Sequence, residues 1–169
     1  MAEVPPLIAE ATKKSDLVWV SVPGQPRPFG VWHVWRDDAA YVVTGGGEQP
    51  APGLAGATGC DVTVRSADKG ARIVTWRASI SRLTPGTELW QDVVPAMLTA
   101  RLNLTDAAGA EQRWARSCAV LRLTPTGDLV ESGDTLPAGS LAGPPPPSPA
   151  RTTTRVPFTL GRRPRGRTG

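Results

Sequence analysis

Residues 72–84, RIVTWRASISRLT, carry the alternation that decides the fold. Apolar residues occupy every second position of this stretch, at Val74, Trp76, Ala78 and Ile80. Successive side chains of a β-strand point to opposite faces of the sheet. The stretch therefore predicts a long strand with one buried face and one polar face.

Five shorter runs rich in β-branched and aromatic residues surround this strand in the sequence. Two of them, VWHVW (31–35) and AYVVT (40–44), are joined by the tight polar turn Arg36-Asp37-Asp38, which predicts a hairpin. The other three are LVWVSV (17–22), DVTVRS (61–66) and RWARSCAVLRLT (113–124). Six strands in this order predict an antiparallel sheet that closes into a barrel.

Helical patterns occur near both ends of this set of strands. Two consecutive prolines suit the first turn of a short helix at about 6–15. Thr87 is a good N-cap for a second helix, in which Pro95 is expected to cause a kink or a division. The segment 103–112 is polar and is predicted to be a turn. The sequence thus predicts a mainly β (α+β) domain with two or three short helices.

The charges divide the chain into a neutral body and a basic tail. The net charge is +4, and residues 129–169 contain the whole excess, as six arginines and two acidic residues. A neutral body disfavours nucleic-acid binding by the folded part. The tail is proline-rich, and Pro144–Pro147 favours an extended polyproline II conformation. We predict a folded domain at 1–126 and a disordered basic tail at 127–169, which could contact an acidic surface.

The cysteines and the N-terminus indicate the compartment. Cys60 and Cys118 are the only cysteines, and nothing in the sequence indicates secretion, so free thiols are predicted. The N-terminal residues do not form a signal peptide, and no run approaches the ~20 apolar residues of a membrane span. A cytoplasmic protein without membrane contact is expected. No metal site is predicted, because His33 is the only histidine and the cysteines lack ligand spacing.

The order of these elements resembles the split β-barrel proteins of the pyridoxamine 5′-phosphate oxidase-like superfamily, especially the actinobacterial members, many of which bind flavin or deazaflavin. The segments that carry the resemblance are VWHVWRDDAAYVVTGGGEQ (31–49), DVTVRS (61–66), RIVTWRASISRLTPGTELW (72–90) and RWARSCAVLRLTP (113–125). The resemblance implies a six-stranded antiparallel split β-barrel. It also implies a homodimer with two flavin sites at the dimer interface.

The resemblance further implies where a cofactor phosphate would bind. In the oxidases of the superfamily, a basic residue late in the second strand and a Ser-Arg-Lys run after the third strand hold the phosphate. The first position falls on or beside His33, and the run falls on Glu48, Gln49 and Pro50, so the basic run is absent. Either this branch has lost the cofactor or the backbone N–H groups of Gly45–Gly47 replace the run. In the second case, charge would come from Arg27, Arg65 or Arg72.

Seven residues are the candidate cofactor-binding residues: His33, Trp35, Thr44, Gly45, Gly46, Gly47 and Gln49. Each also has a structural interpretation. His33 could be a packed core or interface residue, the glycine run could be a flexible turn, and Glu48 with Gln49 could face solvent. Trp32 and Trp35 could stack on a flavin ring or pack in the core. The sequence identifies no catalytic residue.

The favoured function is therefore binding of FMN or a deazaflavin coenzyme by a split-barrel homodimer. If the protein is an enzyme, we expect an oxidoreductase acting on a small molecule. The alternative is a cofactor-free split-barrel module for binding or scaffolding, without catalysis. Because Glu48 stands where a phosphate-binding arginine is expected, Glu48→Arg is predicted to tighten cofactor binding.

Overall fold

The structure is a computed structural model that describes residues 4–101, 104 and 106–139. Within this part of the chain it contains three α-helices and seven β-strands. In chain order they are α1 (Pro6–Lys13), β1 (Leu17–Ser21), β2 (Phe29–Trp32), β3 (Val34–Arg36), β4 (Ala39–Thr44), β5 (Gly59–Arg65), β6 (Arg72–Arg82), α2 (Glu88–Ala100), α3 (Ala107–Ser117) and β7 (Ala119–Ser132). Short 3₁₀ turns lie at Leu54–Gly56 and Gly133–Thr135.

The seven strands form one antiparallel sheet in the order β2-β1-β5-β6-β7-β4-β3. Its two outermost strands, β2 and β3, are consecutive in sequence and are separated only by His33. Consecutive Cα atoms are about 3.8 Å apart, so the two edges of the sheet must approach each other at this residue. The sheet therefore curls into a half-barrel whose split lies at His33.

The prediction of six strands is wrong, because the run 31–35 forms two strands. Before His33 the chain pairs with β1, where Trp32 lies opposite Leu17. After His33 it pairs with β4, where Val34 lies opposite Tyr41. Sequence alternation continues across the break, so it does not reveal that the hydrogen-bonding partner changes.

Two apolar clusters hold the sheet from its two sides. The inner cluster fills the half-barrel and includes Trp76, Leu121 and Ile8, the last contributed by α1. The outer cluster joins β4 and β7 to α2 and α3, and includes Met97 and Trp114. These helices therefore cover one outer face of the half-barrel.

Several sequence predictions are confirmed. In β6, Val74, Trp76 and Ala78 are buried and Arg77 and Ser79 are exposed, as the alternation predicts. At the ends of this pattern the prediction fails, because Thr75 is buried and Ile80 is only half-buried. The predicted helix at about 6–15 is α1. Both predicted thiols, Cys60 and Cys118, are free and buried, and burial raises the pKa of Cys60 to about 12.

The predicted hairpin is also confirmed, as the pair β3–β4. Its loop has two residues, Asp37 and Asp38, with φ of 45° and 54°. Arg36, which was predicted in the turn, is the last residue of β3 and pairs with Ala39. Two positive φ angles are what a two-residue type I′ hairpin loop requires.

Of the two effects predicted for Pro95, a kink or a division of the second helix, the division does not occur. The helix α2 is continuous from Glu88 to Ala100, with Thr87 as the predicted N-cap, its side chain accepting from the Trp90 amide. The buried face of α2, which includes Val93 and Val94, packs into the outer cluster on both sides of Pro95 and keeps the helix whole.

The region before the last strand also differs from prediction. Residues 113–117 are the end of α3 rather than the start of a strand, and residues 107–112 are helical rather than a turn. Ala110 and Trp114, four residues apart, are both fully buried, as one face of a helix requires. The Asp106 side chain caps this helix by accepting from the Gly109 amide.

The last strand is longer than predicted. β7 continues to Ser132, where it still pairs with Val74 of β6, so ordered structure passes the predicted boundary at Gly127. The predicted tail from residue 140 onward lies outside the described residues. Within the described part of the chain, no helix is long and apolar enough to cross a membrane, and no cluster of three or more metal-binding side chains occurs.

Candidate functional site

The predicted site residues line two separate pockets. His33 and Trp35 line a pocket of about 420 Å³ between the end of α1, the β2–β3 junction and the end of α2, here called the His33 pocket. Thr44 and Gly45–Gly47 line a broad open cleft of about 590 Å³, here called the glycine-loop cleft. Gln49 lines neither of them. The structure thus does not gather the seven residues into one site.

The glycine run forms a defined turn at the end of β4. The Glu48 amide donates to the Gly45 carbonyl at 2.9 Å, and the two residues between them have positive φ, 57° at Gly46 and 88° at Gly47. A Cβ atom on Gly46 would lie 2.6 Å from the Cys118 sulfur. Only glycine allows this turn to pack against the junction of α3 and β7.

Two arginines supply positive charge to the glycine-loop cleft. Arg82, at the end of β6, lines the cleft and donates to the Cys118 carbonyl at 3.0 Å. Arg116, near the end of α3, also lines it, is exposed, and forms no ion pair within the described residues. Sequence analysis did not identify either arginine as a binding residue, because only the folded sheet brings β6 and α3 to the loop.

The arginines considered from the sequence do not line this cleft. Arg65 donates to the Gly70 carbonyl at 2.6 Å, and Arg72 donates to the Pro137 carbonyl. Both line a different groove, together with residues 136–139. Their guanidinium groups therefore hold local chain segments at the opposite end of β6 from Arg82.

Glu48 is buried and paired rather than facing solvent. Its side chain is only 7% exposed. Its Oε1 accepts from Trp114 Nε1 at 2.9 Å, and its Oε2 accepts from the Arg101 guanidinium at 3.3 Å. Arg113 approaches Oε1 to 3.6 Å. Because two guanidinium groups offset the carboxylate, Glu48 repels an anion in the cleft much less than its sequence position indicates.

Gln49 holds the free edge of β2. Its Oε1 accepts from the Trp32 amide at 2.7 Å, and its Nε2 donates to the Trp32 carbonyl at 3.0 Å. Thr44 supports this arrangement, since its hydroxyl donates to the Gln49 carbonyl at 3.0 Å and accepts from the Ala51 amide. The polar groups of both side chains are thus used in closing the half-barrel.

His33 is buried at the split of the sheet, with 9% of its surface exposed. Its Nε2 lies 2.9 Å from the carbonyl oxygen of Thr12 in α1. Burial lowers the pKa of His33, although this hydrogen bond and Asp16 act in the opposite direction. The ring therefore ties α1 to the β2–β3 junction in its neutral form.

The two tryptophans beside His33 pack in different directions. Trp35 contacts Trp76 of the inner cluster edge-on, with ring centroids 6.4 Å apart. Trp32 packs against Trp114 of the outer cluster, and the Arg101 guanidinium lies 5.2 Å from its ring centroid. Both indoles also line the His33 pocket.

Solved structures with the same fold show what this architecture is. HutZ, the heme storage protein from Vibrio cholerae, matches with a TM-score of 0.53 and 20% identity, over 76% of this chain and 94% of that chain. A candidate 5-nitroimidazole antibiotic resistance protein from Bacteroides thetaiotaomicron matches with a TM-score of 0.50 and 13% identity, over 74% and 81%. The chain shares the split-barrel fold of these two proteins.

The flavocytochrome Anf3 from Azotobacter vinelandii also matches, with 14% identity over 94% of this chain and 88% of that chain. Its TM-score is 0.49, so the fold assignment rests on the other two structures. No family model matches the sequence, and none of the curated proteins matches it. The likeness therefore concerns the split-barrel fold.

Proposed function

We propose that this protein binds a planar phosphorylated cofactor, FMN or a deazaflavin coenzyme, with the phosphate in the glycine-loop cleft. The observation that carries the proposal is the convergence of Arg82 and Arg116 on the glycine turn. Arginine presents several N–H donors in a planar fork that matches phosphate oxygens. Charge-assisted hydrogen bonds of this kind are about twice as strong as neutral ones.

The residues of the cleft fit such a group. Gly46 and Gly47 have no side chains, so a ligand can approach their backbone closely. Arg116 is available because it forms no ion pair within the described residues, and Arg82 is fixed by its bond to the Cys118 carbonyl. The pairing of Glu48 with Arg101 leaves the cleft with a net positive character.

A bound flavin or deazaflavin supplies hydride transfer, and the protein supplies binding and orientation. On this proposal, the chain is a homodimeric, cytoplasmic oxidoreductase that acts on a small molecule. The cleft is broad and open, so a second protomer would supply its remaining wall, as the resemblance implies. Arg82 and Arg116 would fix the phosphate and thereby set the position of the ring.

One observation favours the alternative, a cofactor-free binding module. Thr44 and Gln49, two of the predicted cofactor-binding residues, use their polar groups on the protein itself. A split barrel that has lost its cofactor would retain these bonds, because they close the half-barrel.

The test is a titration with FMN and with riboflavin, which differs from FMN only in lacking the phosphate. The readouts are tryptophan quenching and the absorbance of the ring. We expect FMN to bind more tightly than riboflavin, and Arg116→Gln to weaken FMN binding by about tenfold, the equivalent of one charge-assisted hydrogen bond. Riboflavin affinity should be the same in both proteins.

Arg77→Gln is the matched control, because Arg77 is an exposed arginine outside the cleft, paired with Asp61. It should leave FMN affinity unchanged. The same titration with a deazaflavin coenzyme separates the two cofactor types. Absence of binding by all three molecules would favour the cofactor-free module, and equal affinities for FMN and riboflavin would contradict a phosphate site.

A further inference from the structure

The outer face of β1 carries an aromatic surface that belongs to neither apolar cluster. Val18 and Val20 of this strand point into the inner cluster, so the alternation places Leu17 and Trp19 on the opposite face. Leu17 is 43% exposed, which makes it one of the few large apolar side chains of the described residues that face solvent, and Trp19 is only half-buried.

Two neighbours shape this surface, here called the Trp19 surface and defined by Leu17, Trp19, Gly30 and Arg65. Gly30 lies opposite Trp19 in β2, and a Cβ atom there would lie 3.3 Å from Leu17 Cδ2 and 3.7 Å from Trp19 Cη2. On the β5 side, the Arg65 guanidinium lies 5.8 Å from the Trp19 ring centroid. The indole Nε1 of Trp19 reaches the surface and has no hydrogen-bond partner within the described residues.

The C-terminal end of the described chain runs towards the Trp19 surface. β7 ends at Ser132, beside the start of β6. Residues 136–139 then line a groove with Arg72 of β6, which donates to the Pro137 carbonyl, and with Arg65 of β5. The chain has thus left β7, passed β6 and reached β5, and the next strand in the sheet order is β1.

The proline run Pro144–Pro147 lies within reach of the Trp19 surface. Four residues separate it from Gly139, and at about 3.3 Å per residue they span about 13 Å. Trp19 is the strand partner of Thr63, which lies two residues along β5 from Arg65. Because neighbouring strands are about 4.8 Å apart, the chain need cover only about 8 Å from Arg65 to reach Trp19.

The Trp19 surface also has the chemistry that binds a polyproline II segment. Such a segment has no internal hydrogen bonds, so its carbonyl groups are free to accept, and its rings pack on aromatic side chains. Trp19 offers both an aromatic ring and a donor without a partner. Because proline has no backbone N–H, the run is unsuited to joining the sheet as a further strand and instead suits a position on its face.

We propose that Pro144–Pro147 binds the Trp19 surface of its own chain in the polyproline II conformation. The proline rings pack on Trp19 and Leu17, and Trp19 Nε1 donates to a carbonyl of the run. The tail predicted from the sequence is then anchored to the half-barrel as far as Pro147, and its arginines follow the anchor. This inference does not depend on flavin binding.

The first test uses the full chain and measures hydrogen exchange at the Trp19 indole Nε1. The chain has six tryptophans, and the indole signal that disappears in Trp19→Phe belongs to Trp19. Replacing all four residues of Pro144–Pro147 by glycine keeps the length of the tail and leaves the described residues intact. We expect exchange to become at least about tenfold faster, roughly the loss of one hydrogen bond.

Other prolines of the tail provide the matched control. Pro157→Gly and Pro164→Gly, introduced together, change the tail outside the run and should leave the exchange rate of the Trp19 indole unchanged. Gly143 and Ser148 flank the run and supply a second readout, because both have backbone amides. Trp19→Thr should increase the nanosecond mobility of these two amides in nitrogen-15 relaxation.

The occupant is decided by the dependence on protein concentration. Binding within one chain predicts the same protection of the Trp19 indole at every concentration. Protection that increases with concentration would assign the surface to a second copy and overturn the proposal. Equal exchange in the natural protein and the four-glycine variant, or equal acceleration in the control variant, would overturn it as well.

Discussion

Glu48 Oε1 accepts a hydrogen bond of 2.9 Å from the indole Nε1 of Trp114, which lies 66 residues away in the sequence. The bond joins the loop after β4 to the middle of α3. The same carboxylate is paired with Arg101, immediately after α2, so one side chain connects the glycine loop to both outer helices. Glu48, whose negative charge counts against phosphate binding in the sequence, thus holds the glycine loop against the two outer helices.

The first prediction concerns the buried interactions of Glu48. Glu48→Gln should lower the free energy of unfolding by about 2 kcal/mol, because it removes the negative charge facing two partly buried arginines. Glu48→Arg should be more destabilising still, since it adds a third guanidinium group beside Arg101 and Arg113. Urea unfolding measures both variants.

The control for this prediction is Glu10→Gln. Glu10 forms an exposed ion pair with Lys14, and exposed pairs contribute little to stability because water and salt screen them. If Glu48→Gln and Glu10→Gln destabilise the protein equally, the buried ion-pair cluster does not contribute as the structure indicates.

The second prediction concerns the two hydrogen bonds by which the Gln49 side chain holds the edge of β2. Gln49→Ala removes both hydrogen bonds to the backbone of Trp32 and should destabilise the protein by about 1–3 kcal/mol. Hydrogen exchange of the Trp32 amide should become markedly faster. Gln112→Ala, an exposed glutamine in α3, should change stability by no more than about 0.5 kcal/mol. An unchanged exchange rate of the Trp32 amide in Gln49→Ala would show that the Gln49 side chain does not hold the edge of β2.

The third prediction compares two neighbouring glycines. A Cβ on Gly46 would lie 2.6 Å from the Cys118 sulfur and 2.8 Å from the Ser117 carbonyl oxygen, in addition to the strain of a positive φ. A Cβ on Gly47 would meet no atom within 4 Å, so only the backbone strain of about 1 kcal/mol remains. Thermal unfolding should therefore show a clearly larger loss for Gly46→Ala than for Gly47→Ala. Similar losses would mean that the turn is not packed on the α3–β7 junction.

The fourth prediction concerns pH. Burial lowers the pKa of His33, so the unfolded chain takes up the proton more readily than the folded protein. The contribution of His33 to the free energy of unfolding is fully present above the unfolded pKa of about 6.5. It decreases as the pH falls from there towards the folded pKa, by up to about 1.4 kcal/mol per pH unit. Urea unfolding at about pH 7.5 and about pH 5.5 should show this loss.

His33→Phe is the control for the pH prediction, because it removes the only histidine of the chain. Its absolute stability can differ, but the slope between the two pH values should become nearly flat. The same slope in His33→Phe and in the natural protein would assign the pH dependence to other groups.

The sequence by itself determined where most of the strands lie, although residues 113–117, which were predicted as strand, are helical. The alternation of β6 gives the buried positions Val74, Trp76 and Ala78 because side chains alternate between faces in any extended chain. The sequence also predicted the N-cap of α2 at Thr87 and the position of the hairpin turn, whose loop consists of Asp37 and Asp38. These features depend on residues close together in the chain.

Only the tertiary structure decided where the strands pair and which charges meet. The change of partner at His33 depends on β1 and β4, and the burial of Glu48 depends on Trp114 and Arg101. Arg82 and Arg116 reach one cleft only when β6 and α3 meet at the glycine loop. A side chain's electrostatic role is set by its neighbours in space, and neighbours from distant segments leave no periodic signal in a single sequence.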